Sequence, residues 1–350
     1  MEIKDILNER REVIDKEIEK LLPKQMTTRD LERLFGRQRY AYNLEAANAS
    51  LSEPIWDLLD RGGKRWRPTL FLLIIEALGK DPDDFLKFVP IVEVIHNGTL
   101  MIDDIEDDSD LRRGKPCTHK KFGIDVAINA GNAMYFLPMK IIGESDLNPD
   151  AKVRLYKTYV DEMVNISIGQ GTDIFWHKGG MEAIEEDEYL QMCAFKTGTL
   201  ARMSAKFAAV IAGASDEMVE KLGRCAESIG VGFQIYDDVL NIIPTKSWGK
   251  GFGDDVKEGK RSLMVIHALK HATETDRRRL LMILGMHTSD EKLVREAVAI
   301  MERYGSIDYA RKKATEIVEK SWKDVEPLLK ESEAKEKLKV FVEYLVNRDI

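Results

Sequence analysis

Two short acidic runs carry the strongest chemical signal in this chain. The first is Asp103-Asp-Ile-Glu-Asp107, followed at once by Asp108. Helical spacing puts residues four apart on one face, so Asp103 and Asp107 point the same way one turn apart. Asp104 lies about 100° round the helix, behind them. Like charges held this close repel unless a cation sits between them. Hard carboxylate oxygens, with neither imidazole nor thiolate in the run, favour Mg²⁺. The second run, Asp237-Asp-Val-Leu-Asn241, has the same spacing with an amide in the last place, and Gly232-Phe-Gln-Ile-Tyr236 precedes it. One acidic pair is as readily a solvated helix face as a site. Two matched runs in apolar helices, facing each other across a bundle, read as the walls of a magnesium–diphosphate site.

An anion held through metal also needs cations around it. Gly62-Gly-Lys-Arg-Trp-Arg-Pro68 supplies Lys64, Arg65 and Arg67 on a glycine-opened turn leading into a helix start at Pro68. Arg112 and Arg113 follow the first acidic run. Lys196-Thr-Gly-Thr199 sets a lysine and hydroxyls in an otherwise apolar helix, and Lys250 and Lys260 flank Asp254 and Asp255. Any one of these is ordinary surface; their placement beside both acidic runs is what counts. No Ser–His or Cys–His constellation stands out. His267 and His271 are one turn apart with no third ligand in view, which reads as a helix face rather than a metal pair.

Positioning these groups falls to helices. Ile3, Ile6, Leu7, Val13, Ile14, Ile18 and Leu21 recur at steps of three to four, as do Ala310, Ala314, Ile317, Val318, Trp322 and Val325. No alternating strand followed by a hairpin turn is evident, and glycine and proline fall mostly between helical patterns. The pattern predicts an all-α, single-domain antiparallel helical bundle over residues 1–350, with 1–45 as a helical extension packed on it. With 44% hydrophobic residues the chain can bury a core, and 53 Lys+Arg against 61 Asp+Glu argue against a nucleic-acid binder. The odd set Cys117, Cys193 and Cys225 implies no disulfide framework. No apolar run reaches the ~18 residues of a membrane span, and the first residues lack signal-peptide order. A cytoplasmic protein is expected.

In order along the chain, Gly62-Gly-Lys-Arg-Trp-Arg-Pro68, His96 to Asp108, Leu111-Arg-Arg-Gly114, Gly169-Gln-Gly-Thr-Asp173, Lys196-Thr197, Phe233-Gln-Ile-Tyr-Asp-Asp238 and Asp254 to Ser262 resemble the trans-isoprenyl diphosphate synthases, or polyprenyl synthetases. The wording around Ile105-Glu106, Gln170-Gly171 and Asn241 is most similar to the geranylgeranyl branch. The resemblance implies an isoprenoid-synthase bundle around a central apolar cavity, usually homodimeric. It implies Mg²⁺-dependent condensation of isopentenyl diphosphate with an allylic diphosphate. Three Mg²⁺ would be held by Asp103, Asp107 and Asp237. Arg112, Lys196, Gln234, Lys250 and Lys260 would hold the allylic diphosphate, with Thr197, Gln170 and Asp173 lining the reaction centre. Lys64, Arg67, His96 and Arg113 would hold isopentenyl diphosphate. Lys196, Thr197, Asp103 and Asp237 would do the central chemistry.

Relatives that stop at fifteen carbons resemble one another in an aromatic one turn before the first aspartate, where this chain has Gly98 and Thr99. An open tunnel floor is therefore expected there, a product of twenty carbons, and a shorter one from Gly98→Phe. Products of twenty-five to thirty carbons are the rival. An inactive regulatory subunit and a class I terpene cyclase are weaker alternatives, since the site residues are intact and Asn241-Ile-Ile-Pro-Thr245 lacks the Ser and Glu of a cyclase.

Overall fold

The structure, a computed structural model, describes residues 2–181, 183–243 and 252–346. It is almost wholly helical, as the periodicity predicts. Backbone contacts group the chain into two compact units, Met1–Thr158 with Phe207–Ser215 and Ser332–Lys337, and Tyr159–Lys206 with Asp216–Glu331 and Leu338–Ile350.

In the first unit, α1 (Arg11–Leu21) buries Ile14, Ile18 and Leu21 along one stripe. Residues 1–45 thus supply core to this unit, with Met26, Leu31 and Leu34 also nearly inaccessible. Helix α2 (Trp66–Ala77) is apolar on all sides and buried on nearly all, as expected of a central helix. Helix α3 (Pro90–Glu106) starts on proline, whose missing N–H costs nothing in a first turn. The stretch Pro82–Glu106 is long and apolar enough to cross a bilayer, yet most of it is buried inside the unit.

Two glycines set how closely α3 meets α4 (Ile124–Phe136). A Cβ on Gly98 would lie 2.8 Å from Met134 Cβ and 3.1 Å from the Gly131 carbonyl oxygen; one on Gly131 would lie 2.8 Å from Ile102 Cδ1. At Gly98 itself, α4 stands where an added side chain would go. Between α3 and α4 lie the only strands among the described residues, β1 (Leu111–Arg112) and β2 (Lys115–Pro116), a minimal antiparallel hairpin. The absence of a hairpin in the sequence reading is corrected here, since two-residue strands have no alternation to detect.

Helix α5 (Pro149–His177) lies in the second unit from Tyr159 onward. There a five-residue π-helical segment, Ala194–Gly198, precedes α6 (Thr199–Ile211). The long α7 (Asp216–Ile242) packs along α8 (Ser306–Val325), whose Ala310, Ala314, Val318, Trp322 and Val325 are all buried, as their spacing predicts.

Candidate active site

The first acidic run forms the last turn of α3. The Asp107 backbone N–H donates to the Asp103 carbonyl at 2.9 Å, which fixes the two residues one turn apart. A helix C-terminus carries partial negative charge, so carboxylates here are unfavourable by dipole and by mutual repulsion alike. A bound cation relieves both. Asp104 is buried and points elsewhere: Arg112 Nε donates to its Oδ1 at 2.7 Å, while Arg112 Nη2 also reaches Asp103 Oδ2 at 3.4 Å. Asp104 therefore holds Arg112 from behind, as its angular position implies.

Arg112 and Arg113 are presented by the hairpin. Pairing of Arg112 with Lys115 leaves Arg113-Gly114 as a two-residue turn, with φ of 53° and 74°. Positive φ at both positions is the twist a two-residue hairpin requires, and it is strained for arginine. Arg61 fastens the hairpin, donating to the carbonyls of Arg112 (3.0 Å) and Pro116 (2.8 Å) while pairing with Asp57. Arg113 in turn donates to the Gly62 carbonyl and to Asn97 Oδ1 (3.3 Å). Burial lowers its pKa to about 10, partly offset by Glu93 and reinforced by Arg65, Arg112 and Arg61. A cation so placed favours an incoming polyanion.

His96 is half-buried on α3, and Lys64 is exposed while Arg67 is buried. Desolvation first, then the charges of Arg67, Arg113, Arg112 and Arg65, hold the His96 pKa well below its usual value. The ring is neutral at pH 7. In the unfolded chain it takes a proton near pH 6.5, so stability falls as pH drops through that value. His96→Gln should remove this loss. Urea unfolding between pH 7 and 5 should show the parent falling more steeply, by up to about 1.4 kcal/mol per pH unit; parallel profiles would disprove the neutral, cation-ringed histidine. Thr99 is half-buried and donates its hydroxyl to the His96 carbonyl at 2.8 Å.

In the second unit, Lys196 and Thr197 ride on the π-helical segment. Such one-turn irregularities occur often at functional sites. Glycines clamp it from both sides. A Cβ on Gly169 of α5 would approach the Lys196 backbone nitrogen to 2.3 Å, and one on Gly230 of α7 would approach Gly198 Cα to 2.6 Å. Lys196 Nζ pairs with Asp173 Oδ2 at 2.5 Å, and Gln170 is half-buried one turn earlier on α5. Thr197 donates to Gln234 Oε1, Gln234 Nε2 donates to Asp238 Oδ1, and the Tyr189 hydroxyl donates to Asp238 Oδ2, each at 2.8 Å. Burial, with the nearby charge of Asp255, pushes the Asp238 carboxyl up to about 7. Asp237, beside it on α7, is half-buried.

Asn241 has a positional role. Its Oδ1 accepts the Asp255 N–H at 3.1 Å and its carbonyl accepts the Gly253 N–H at 2.8 Å. It thus holds the turn that leads to Lys260, which pairs with Asp255 (3.3 Å) and Glu258 (2.7 Å). Lys250 lies outside the described residues. His267 and His271 are adjacent, with ring centroids 4.4 Å apart; His267 stacks on Tyr309 and shares a 3.0 Å hydrogen bond with Ser306. Among the described residues no group of three or more His, Cys, Asp or Glu side chains is arranged to hold a metal. The sequence reading gave no role in the site to Glu93, Asn97, Tyr189 or Gly230. Glu93 and Asn97, one turn apart and polar in the apolar α3, were the detectable signal.

The polyprenyl synthetase pattern matches residues 48–301. Over 302 residues the chain is 38% identical to a short chain isoprenyl diphosphate synthase of Methanothermobacter thermautotrophicus, covering 83% of this chain and 88% of that protein. It is 35% identical over 349 residues to a geranylgeranyl pyrophosphate synthase of Geoglobus acetivorans, covering 99% of each. Its fold is similar to the crystal structure of geranylgeranyl pyrophosphate synthetase from Pyrococcus horikoshii, with a TM-score of 0.86, 30% identity, and coverage of 99% and 98% of the two chains. This chain belongs to the polyprenyl synthetase family and is a prenyltransferase.

Proposed function

We propose that the enzyme condenses isopentenyl diphosphate with dimethylallyl, geranyl or farnesyl diphosphate and releases an all-trans product, geranylgeranyl diphosphate. The observation that carries this reading is the last turn of α3, where Asp103 and Asp107 stand one turn apart with Arg112 against them. Mg²⁺ is commonly held by one or two carboxylates with substrate phosphates completing its shell, and two carboxylates without a third protein ligand fit that pattern. Asp103 and Asp107 would take two ions and Asp237 a third, magnesium supplying charge stabilisation to the departing diphosphate.

Arg112, Lys196, Gln234 and Lys260 hold the allylic diphosphate, with Gln170 and Asp173 beside Lys196. The allylic C–O bond breaks and its electron pair leaves with the diphosphate, so fixed cations stabilise the charge as it develops. Thr197, fixed by Gln234, lines the centre, and apolar neighbours such as Met101 keep water from the allylic cation. Lys64, Arg67, His96 and Arg113 hold isopentenyl diphosphate so that its double bond attacks that cation. Its π electrons form the new C–C bond, and a proton passes to the released diphosphate.

Two relatives matched over nearly their whole length carry the name geranylgeranyl synthase, which supports the C20 product. A third at similar identity and coverage is named a geranylfarnesyl synthase and supports the longer rival. A homodimer is supported by Val153, Val160, Val164, Ile168 and Phe175, exposed along α5, because large apolar patches mark interfaces. Three buried free thiols suit the cytoplasm. Purified protein with Mg²⁺, labelled isopentenyl diphosphate and each primer should give a discrete C20 diphosphate. A ladder of C25 and longer products would move the product assignment, and no product from any primer would overturn the proposal.

A further inference from the structure

We propose that Asp15, on the N-terminal helix α1, is a positioning residue for isopentenyl diphosphate, an inference that rests on the assignment of Lys64, Arg67, His96 and Arg113 above. Asp15 Oδ1 accepts from Arg65 Nε at 2.8 Å. Arg65 is not one of those four, and only 3% of its side chain is exposed, so it serves the fold around the site rather than the substrate. Its other guanidinium nitrogens donate to Glu93 Oε1 at 2.7 Å and to the Leu59 carbonyl at 3.1 Å. Its backbone is left-handed, with φ of 50°, at the start of α2. That conformation is costly for a residue with a Cβ and persists only where surrounding contacts enforce it. The turn so enforced is the one that carries Lys64 on one side of Arg65 and Arg67 on the other.

The same contacts continue to the other arm of the site. Glu93 Oε1 also accepts from Asn97 Nδ2 at 3.0 Å, and Asn97 Oδ1 accepts from Arg113 Nη2 at 3.3 Å. Asp15, Arg65, Glu93, Asn97 and Arg113 therefore form one unbroken chain of side-chain hydrogen bonds. Gly63 lets its two guanidiniums approach, since a Cβ there would lie 3.2 Å from a terminal nitrogen of each. Arg65 and Arg113 are packed cations, and Glu93 is the buried carboxylate between them. Asp15 brings the second negative charge, with Arg11 4.0 Å from its other oxygen on the solvent side. Without Asp15, Glu93 answers two guanidiniums alone. Arg65 then loses one of the contacts that hold its left-handed turn, and it draws more strongly on the Glu93 oxygen that Asn97 shares. Both arms of the cation set loosen together.

Steady-state kinetics of the full chain with both substrates varied tests this. Asp15→Ala should raise KM for isopentenyl diphosphate about five- to tenfold, the range of a half-exposed charge-assisted hydrogen bond, while kcat and the allylic KM stay within about twofold. Asp15→Glu should restore most of the loss. A general structural defect instead lowers kcat or moves both KM values, and either result, or an unchanged isopentenyl KM, overturns the positioning role. Lys64→Ala, measured alongside, separates the two levels: if it leaves the isopentenyl KM unchanged, the assignment of that site falls, whatever Asp15 does.

Discussion

Asp103→Ala should lower kcat by about 10²–10³-fold while leaving the metal-free protein as stable as the parent or slightly more so. The two halves of that expectation have separate causes. Activity depends on charge stabilisation at the departing diphosphate, and losing one such group typically costs 10²–10³-fold. Stability follows the opposite sign, because Asp103 is a half-buried carboxylate at the negative end of α3, one turn from Asp107. Its removal relieves repulsion and the unfavourable dipole contact, worth a few tenths of a kcal/mol. Arg112 keeps its 2.7 Å bond to Asp104. Asp104→Ala should behave in the opposite way: it strips a buried partner from Arg112, and loss of about 3 kcal/mol is expected. Kinetics across a magnesium titration and urea unfolding of both variants would separate them. A kcat within tenfold of the parent for Asp103→Ala would remove the first acidic run from the chemistry.

Gly98→Phe should fail by unfolding, with no shortened product. Even the first added carbon would meet Met134 Cβ at 2.8 Å and the Gly131 carbonyl at 3.1 Å, and Tyr135 Cε1 lies at 3.2 Å. Backbone cannot step aside as a flexible side chain can, and six further ring carbons follow the first. Overpacking by a few methylenes commonly costs 1–3 kcal/mol, so a loss of at least about 4 kcal/mol is expected here. Gly98→Ala should already be destabilised by about 1–3 kcal/mol. The measurements are soluble yield, urea unfolding and the chain length made by whatever remains folded. A stable Gly98→Phe enzyme with a shorter product would show that α4 does not close this position.

The sequence made legible what repeats or concentrates. The stripe from Ala310 to Val325 is buried because five apolar residues at helical spacing admit one orientation against a core. Asp103 and Asp107 were found because helical spacing alone puts them on one face. What stayed hidden depends on one element meeting another. Gly98 reads as vacancy in one dimension and is a close helix contact in three. Arg113-Gly114 reads as a basic loop, whereas only pairing of Arg112 with Lys115 makes it a turn. Asp15 was one charge among many on an amphipathic helix, and its meaning comes from Arg65, fifty residues away. Tyr189 lies among acidic residues that give no hint of its contact with Asp238.

The π-helical segment at Ala194–Gly198 adds a condition of a different kind. Helical phase before it buries Tyr189, Met192 and Cys193, and phase after it buries Leu200, Ala201 and Met203. A widened turn is what reconciles these two phases, as one extra residue inserted in a helix would. Deleting any single residue between 194 and 198 would let the backbone return to regular helix, which is locally favourable. Both flanks would keep their buried faces, because the widened turn is what absorbs the extra residue. What would be lost is the widened turn itself, and with it the present placement of Lys196 and Thr197. At this point the number of residues, independent of their identity, is part of what the site requires.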